Sequence, residues 1–247
     1  MPTANNAQEL VNDIRDYCSA HADPAQVQKW ARYFKEGFDA WGLLDPKNPL
    51  WNSKQTEWLE KYQGIGLQGL LKAGELLFTS GKYEEGALAI RFVSKHRDEI
   101  DGRAFAGLSR WFKAGIGNWA HTDSLCGEVI APLLQSGRLG LAALAPWRGS
   151  SLKYQRRAVP VAMLGLLKRD EDVEPLLDFL RPLMADGERV VQQGLGWFLR
   201  EAWKKRPEPV EAFLLEYRDS APRLIFQYAT EKMTAAARAR FRRVKAR

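Results

Sequence analysis

Apolar residues recur every three to four positions along nearly the whole chain, from about residue 6 to about residue 243. That period is the repeat of one helix face, and no stretch alternates as a half-buried strand would. The spacing predicts helices over about 6–20, 24–43, 54–63, 66–80, 83–98, 102–114, 118–135, 138–145, 151–168, 173–185, 188–205, 207–219 and 232–243. The breaks fall at helix punctuation: Asp23-Pro24 opens a helix, Gly81 closes one, and Arg206-Pro207 separates two. Composition agrees, with 31 Leu and 30 Ala against 24 Val, Ile and Thr together. Strands draw on β-branched residues, so an all-β fold is excluded and a parallel-sheet α/β fold is disfavoured.

Short helices with tight turns can form a bundle or a stack of helix pairs, and self-comparison favours the stack. Lys82-Tyr83 followed by Ala87 recurs as Lys153-Tyr154 followed by Ala158, 71 residues on, and Asp101 and Asp172 keep the same offset. The segment from Arg157 aligns with one from Gln193, at 36, and Val173/Leu177 reappear as Val210/Leu214, at 37. Two steps of about 36 make 71, a helix-pair period of the HEAT type. The expected fold is therefore all-α, a HEAT-like solenoid of antiparallel helix pairs with a concave face. No Gly/Ser linker divides the chain. One domain over 1–237 is expected, followed by a basic tail, 238–247.

The formal net charge is +7, unevenly spread. Residues 1–125 hold 15 Lys/Arg and 16 Asp/Glu, whereas the last ten residues alone contribute +6 without an acid. Such a balance suits a polyanion, and Lys/Arg along a solenoid groove would meet duplex phosphates. Arg148, Lys153, Arg156, Arg157, Lys168, Arg189, Arg200, Lys204 and Lys205 are candidates for that row. No apolar run approaches the length of a membrane span, and the N-terminus has acids where a signal peptide is apolar. Cys18 and Cys126 lack metal-ligand or framework spacing. A reducing, cytoplasmic compartment is expected, nucleoid-associated in a bacterium, with no membrane partner.

His21, His96 and His121 fall on separate segments, so no metal site is expected, and no phosphate-loop, dinucleotide or nucleophile-elbow motif occurs. Three segments stand out. In NWAHTD, residues 118–123, Trp119 and Asp123 are four apart and share a helix face. A carboxylate beside an indole suits a cationic or π-rich substrate, although a buried Trp with a structural acid reads the same way. QRRAVPVAML, residues 155–164, sets Arg156-Arg157 before an apolar stretch, and GLGWFLREAW, residues 194–203, sets Arg200 and Glu201 one turn after Trp197.

Taken together, these segments resemble the AlkD-like HEAT-repeat DNA glycosylases for alkylated bases. The family's first Trp and catalytic acid correspond to Trp119 and Asp123, its functional arginine to Arg157, and its second aromatic to Trp197. Its Ala-Arg-Tyr segment corresponds to Ala31, Arg32 and Tyr33, with Tyr33 facing nucleic acid. The resemblance runs in order from about residue 7 to 220. There are departures: Ala120 stands where the family has an acid after the first Trp, and Leu44 where it has a polar residue. Pro160 sits three residues after Arg157, inside a predicted helix, where it should kink or restart it.

The resemblance implies excision of purines alkylated at N3 or N7, whose positive charge already weakens the N-glycosidic bond. Asp123 would stabilise the oxocarbenium-like sugar and accept a proton from water, while Trp119 and Trp197 hold the nucleotide. Tyr33, Arg148, Lys153, Arg156, Arg157 and Arg200 would contact DNA. The partner would be double-stranded DNA containing alkylated bases, bound by a monomer without cofactor or metal. Two alternatives stay open: a non-catalytic HEAT-like module for damaged, bent or branched DNA, and a protein-binding helical scaffold.

Overall fold

A computed structural model describes residues 2–43, 49–169 and 172–243. Leu44 and residues 244–247 of the basic tail lie outside the described residues. Helices and turns make up those residues, with no strand among them. Backbone contacts gather the chain into two compact units, Met1–Val129 and Ile130–Arg247.

Unit 1 contains α1 (Pro2–Ala20), α2 (Pro24–Ala31), α3 (Pro49–Lys61), α4 (Gly66–Phe78), α5 (Tyr83–Ser94), α6 (Gly102–Ala114) and α7 (Trp119–Leu125). Their starts are chemically marked. Asp23 accepts hydrogen bonds from the amides of Ala25 and Gln26, Asp101 from that of Ala104, and Asn118 from that of His121. Each satisfies amides that a first helical turn leaves without partners. Helix α4 packs on α1, α5 and α6, and α5 packs on α7. Trp58, Leu77, Leu88, Ile90, Phe92, Leu108 and Trp111 are fully buried among them.

The predicted helix over 24–43 is cut short, because only Pro24–Ala31 is helical. Gly37 and Gly42 adopt φ of +108° and +92°. A Cβ at Gly42 would lie 2.1 Å from the carbonyl oxygen of Asp23, so only glycine fits there. The chain beyond is held by a buried carboxylate: Glu84 accepts from the amides of Trp41, Gly42 and Leu43 at 2.8–2.9 Å. Its neighbour Glu85, also buried, accepts from Arg15 Nε at 3.0 Å and Trp41 Nε1 at 3.2 Å. Long-range hydrogen bonds have replaced the i,i+4 bonds that the local pattern favoured.

Unit 2 contains α8 (Ala131–Gln135), α9 (Ala145–Arg148), α10 (Lys153–Met163), α11 (Glu174–Leu180), α12 (Arg189–Trp203), α13 (Pro207–Glu216), α14 (Arg223–Ala229) and α15 (Ala235–Ala239). Helices α10 and α14 both pack on α12, and α11 meets α13. That is the two-row arrangement of stacked helix pairs. The period is visible in the helix starts: α5, α7, α10, α12 and α14 begin at 83, 119, 153, 189 and 223, in steps of 36, 34, 36 and 34. The recurring Lys-Tyr pair marks the starts of α5 and α10, and Val173, Leu177, Val210 and Leu214 are all buried. Pro160 neither ends nor restarts α10, which continues to Met163. Helix α14 escaped the periodicity reading, because RLIFQYA is too short and too aromatic to show a 3.6-residue stripe.

Glycines let the unit 2 helices approach. A Cβ at Gly194 would sit 3.2 Å from Arg157 Cγ on α10, and one at Gly196 would fall 2.5 Å from Tyr228 Cβ and 2.8 Å from the Ile225 carbonyl on α14. The Gly-Leu-Gly run before Trp197 thus sets two helix contacts at once, with Leu195 buried between them.

Candidate functional site

In unit 1 the site grows out of an aromatic array. Tyr33 and Trp119 are 51% and 42% exposed, two of the three large apolar side chains left open among the described residues. Hydrophobic side chains of that size are usually covered, so their exposure makes this surface a candidate site. Phe34 joins them: it follows Tyr33 in sequence, and its ring stacks on Trp119 with centroids 5.7 Å apart and planes at 18°. Behind it, Phe38 stacks on Phe34 at 4.5 Å, and Tyr83 meets both rings. Tyr83 in turn stacks on His121 at 4.6 Å. The Trp119 indole is thus backed by rings from three segments, each contact contributing about 0.5–1.5 kcal/mol beyond area burial.

His121 anchors the array from inside. It is buried; its Nε2 donates to the Tyr83 carbonyl at 2.8 Å, and its Nδ1 accepts from Asn118 Nδ2 at 3.0 Å. Burial pulls its pKa down to about 4, against a smaller opposing effect of the Tyr83 bond, so the ring is neutral at pH 7. Burial, with the charges of Glu84 and Glu128 behind it, also pushes the Tyr83 phenol above its ordinary range. Neither group is poised to carry a proton at neutral pH; together they fix the start of α7. Asp123 lies one turn after Trp119 on that helix and is half-buried. At the outer edge Arg32 lies over the Tyr33 ring at 4.8 Å and donates to its hydroxyl at 2.9 Å.

Unit 2 holds the remaining predicted residues, and most of its arginines turn to the protein. Arg157 is 6% exposed, and its Nη1 donates to the Val190 carbonyl at 2.8 Å, tying α10 to the start of α12. Arg156 grips Asp186 through Nε at 2.6 Å and Nη2 at 3.3 Å, and donates to the Ser150 carbonyl at 2.7 Å. Arg148 donates to the Phe179 carbonyl at 2.8 Å and stacks on that residue's ring at 4.1 Å. Arg200 bridges Glu201 at 2.9 Å and Glu231 at 2.6 Å, and Lys153 lies over the Tyr154 ring at 5.5 Å. Trp197 is half-buried on α12, one turn before Arg200 and Glu201. Of the other predicted cations, Lys204 pairs with Glu201, whereas Lys168, Arg189 and Lys205 are exposed. Among the described residues no group of three or more His, Cys, Asp or Glu is placed to hold a metal ion. No helix there is long and apolar enough to cross a membrane.

The family profile described as DNA alkylation repair enzyme matches residues 14–233. The chain belongs to that family. A solved structure described as "Predicted DNA alkylation repair enzyme from Enterococcus faecalis" superposes with a TM-score of 0.64 at 15% identity, covering 87% of this chain and 98% of that one. At that identity the likeness shows the all-helical fold. No curated protein sequence matches the chain.

Within this member of the DNA alkylation repair enzyme family, sequence reasoning missed Phe34, Asn118 and His121. The signal for Phe34 was present: Trp30, Tyr33, Phe34, Phe38 and Trp41 crowd twelve residues. A stretch that aromatic, broken by Gly37, is a poor helix and a good surface platform.

Proposed function

We propose that the protein is a DNA glycosylase that hydrolyses the N-glycosidic bond of cationic N3- or N7-alkylated purines in duplex DNA. One observation carries the reading: an exposed, ring-backed Trp119 stands one helical turn from the carboxylate of Asp123, in a chain of the DNA alkylation repair enzyme family. An alkylated purine is already a cationic leaving group, so the difficult charge is the one that develops on the sugar. A fixed carboxylate stabilises that charge most at the transition state, and it can accept the proton of the attacking water. The indole face attracts a cationic base or sugar, and the stack on Phe34 restricts the ring so that little freedom is lost on binding. Tyr33, in the same unit, contacts the strand, and the half-buried Trp197 of α12 is a further aromatic contact to DNA in this reading. Of the groove cations read from the sequence, Lys168, Arg189 and Lys205 remain open to phosphates, because they are exposed and carry no ion pair among the described residues.

Asp123→Asn tests this reading, since it keeps the shape and removes the charge. Release of free 7-methylguanine from a methylated duplex should fall by roughly 10²-fold or more, the scale for one preorganised electrostatic group. Duplex affinity should hold or tighten slightly, because the lost carboxylate repels phosphates. Full release by a folded variant removes Asp123 from catalysis. One observation favours a second reading, a non-catalytic module for damaged or bent DNA: Arg157, at the position of the family's functional arginine, is buried on the Val190 carbonyl. Wild-type protein that binds alkylated duplex and releases no base from any of several alkylpurines would establish it.

A further inference from the structure

The end of unit 2 carries a cluster of arginines that the proposed chemistry does not use. Arg223 opens α14, Arg238 lies in α15, and Arg242 and Arg243 follow it. A groove of about 290 Å³ is lined by Arg223, Arg238 and Arg242, with Gln227 on its edge and the buried rings of Phe226 and Phe241 beneath. Each guanidinium that makes a hydrogen bond here makes it to a backbone carbonyl: Arg223 to Arg218, Arg238 to Met233 and Arg243 to Ala221, at 3.1–3.3 Å. The contrast with neighbouring arginines is direct. Arg240, between them in sequence, is neutralised by Glu211 at 2.5 Å, and Arg218 by Asp219 at 3.3 Å.

Holding like charges together is unfavourable without a counter-charge. Burial, with the charge of Arg243 added, pulls the Arg223 guanidinium below its ordinary range, and Asp219 offsets this only in part. Arg223 also lies over the Phe226 ring at 4.4 Å, which fixes its plane and leaves its edge for a ligand. Planar forks with spare N–H donors, fixed over an apolar floor, match the non-bridging oxygens of a phosphodiester. Resting on the DNA-glycosylase reading, we infer that Arg223, Arg238, Arg242 and Arg243 form a phosphate clamp for the DNA backbone. Its role is to fix register on the duplex through sequence-independent contacts, apart from the Trp119/Asp123 chemistry. Helix α14 packs directly on α12, which bears Trp197, so the clamp is rigidly joined to the unit 2 aromatic.

The test is the R238Q/R242Q variant of the full chain, both positions being exposed, with equilibrium binding to an unmodified duplex measured across a salt series. Each lost phosphate contact lowers the slope of log K against log salt by about 0.9, so the slope should fall by nearly two and low-salt affinity by roughly tenfold. R238K/R242K, which keeps the charges, should retain most of the slope. An unchanged slope in the Gln variant overturns the clamp. So does protection of these arginines by a Glu-rich peptide that leaves duplex binding intact, since the groove would then hold an acidic protein segment. Base release from a 7-methylguanine duplex, read on the same preparations, separates the two proposals. No release by wild type with a reduced slope in the variant removes the catalytic reading and keeps the clamp; release with an unchanged slope does the reverse.

Discussion

The two units use their charged and aromatic residues in opposite ways. Unit 1 has 15 Lys/Arg against 17 Asp/Glu, yet it presents the exposed rings Tyr33 and Trp119. Unit 2 has 22 against 13, yet Arg148, Arg156, Arg157 and Arg200 spend their hydrogen bonds on carbonyls and carboxylates of the same unit. A count of positive charge is therefore a poor guide to where a polyanion docks. What matters is which cations lack an internal counter-charge, and in unit 2 these include Lys168, Lys205, Arg238 and Arg242. In unit 1 the buried carboxylates Glu84 and Glu85 are themselves structural, holding the loop that carries the aromatic array onto α5.

The contrast is broken most readily at Arg156. Its bidentate pair with Asp186 is 16% and 6% exposed at the two side chains. Arg156→Ala would leave that carboxylate without its guanidinium, and should cost about 3 to 4 kcal/mol, read as a lower denaturant midpoint. A variant of unchanged stability but weaker, less salt-sensitive DNA binding would return Arg156 to the DNA-contacting set and erase the distinction between the units.

Acid should separate the units next. All three histidines lie in unit 1, and His121 is held neutral with a pKa of about 4. Between pH 6.5 and 4 the unfolded chain takes up a proton that folded His121 refuses, so stability is lost as pH falls through that window. The loss approaches about 3 kcal/mol at pH 4. Hydrogen exchange should report faster local opening in unit 1 than in unit 2 over this range. The pH slope, not the absolute stability, should flatten in His121→Gln. Equal loosening of both units would remove His121 as the cause.

The smallest effect expected concerns Phe34, a positioning residue for Trp119. Phe34→Leu removes a stack of about 1 kcal/mol and should lower kcat/KM for base release several-fold, mostly through KM. Phe34→Tyr keeps the ring and should restore it. Equal rates in all three proteins would mean that the indole needs no backing.

The sequence by itself carried the helical class, the period near 36 residues, and the segments that place the chain in its family. It also placed Trp119 near a helix start, because the apolar period resumes at about residue 118. Periodicity and capping are exchanges between residues within four positions of one another, so one strand of text contains them. Phe34 and Trp119 are 85 residues apart, and nothing local says that their rings meet. The break after Ala31 was only partly legible: Gly37 and the aromatic run weaken the helix locally, but the path of the loop is set by Glu84, which receives three amides from residues some forty positions earlier. The fate of each arginine was the least legible. A guanidinium is satisfied by a carbonyl, a carboxylate or a phosphate, and only the folded chain decides which of these lies within about 3 Å. For Arg157 it is the carbonyl of Val190; for Arg156 it is Asp186; for Arg238 it is a single carbonyl, with the remaining donors left to face a groove.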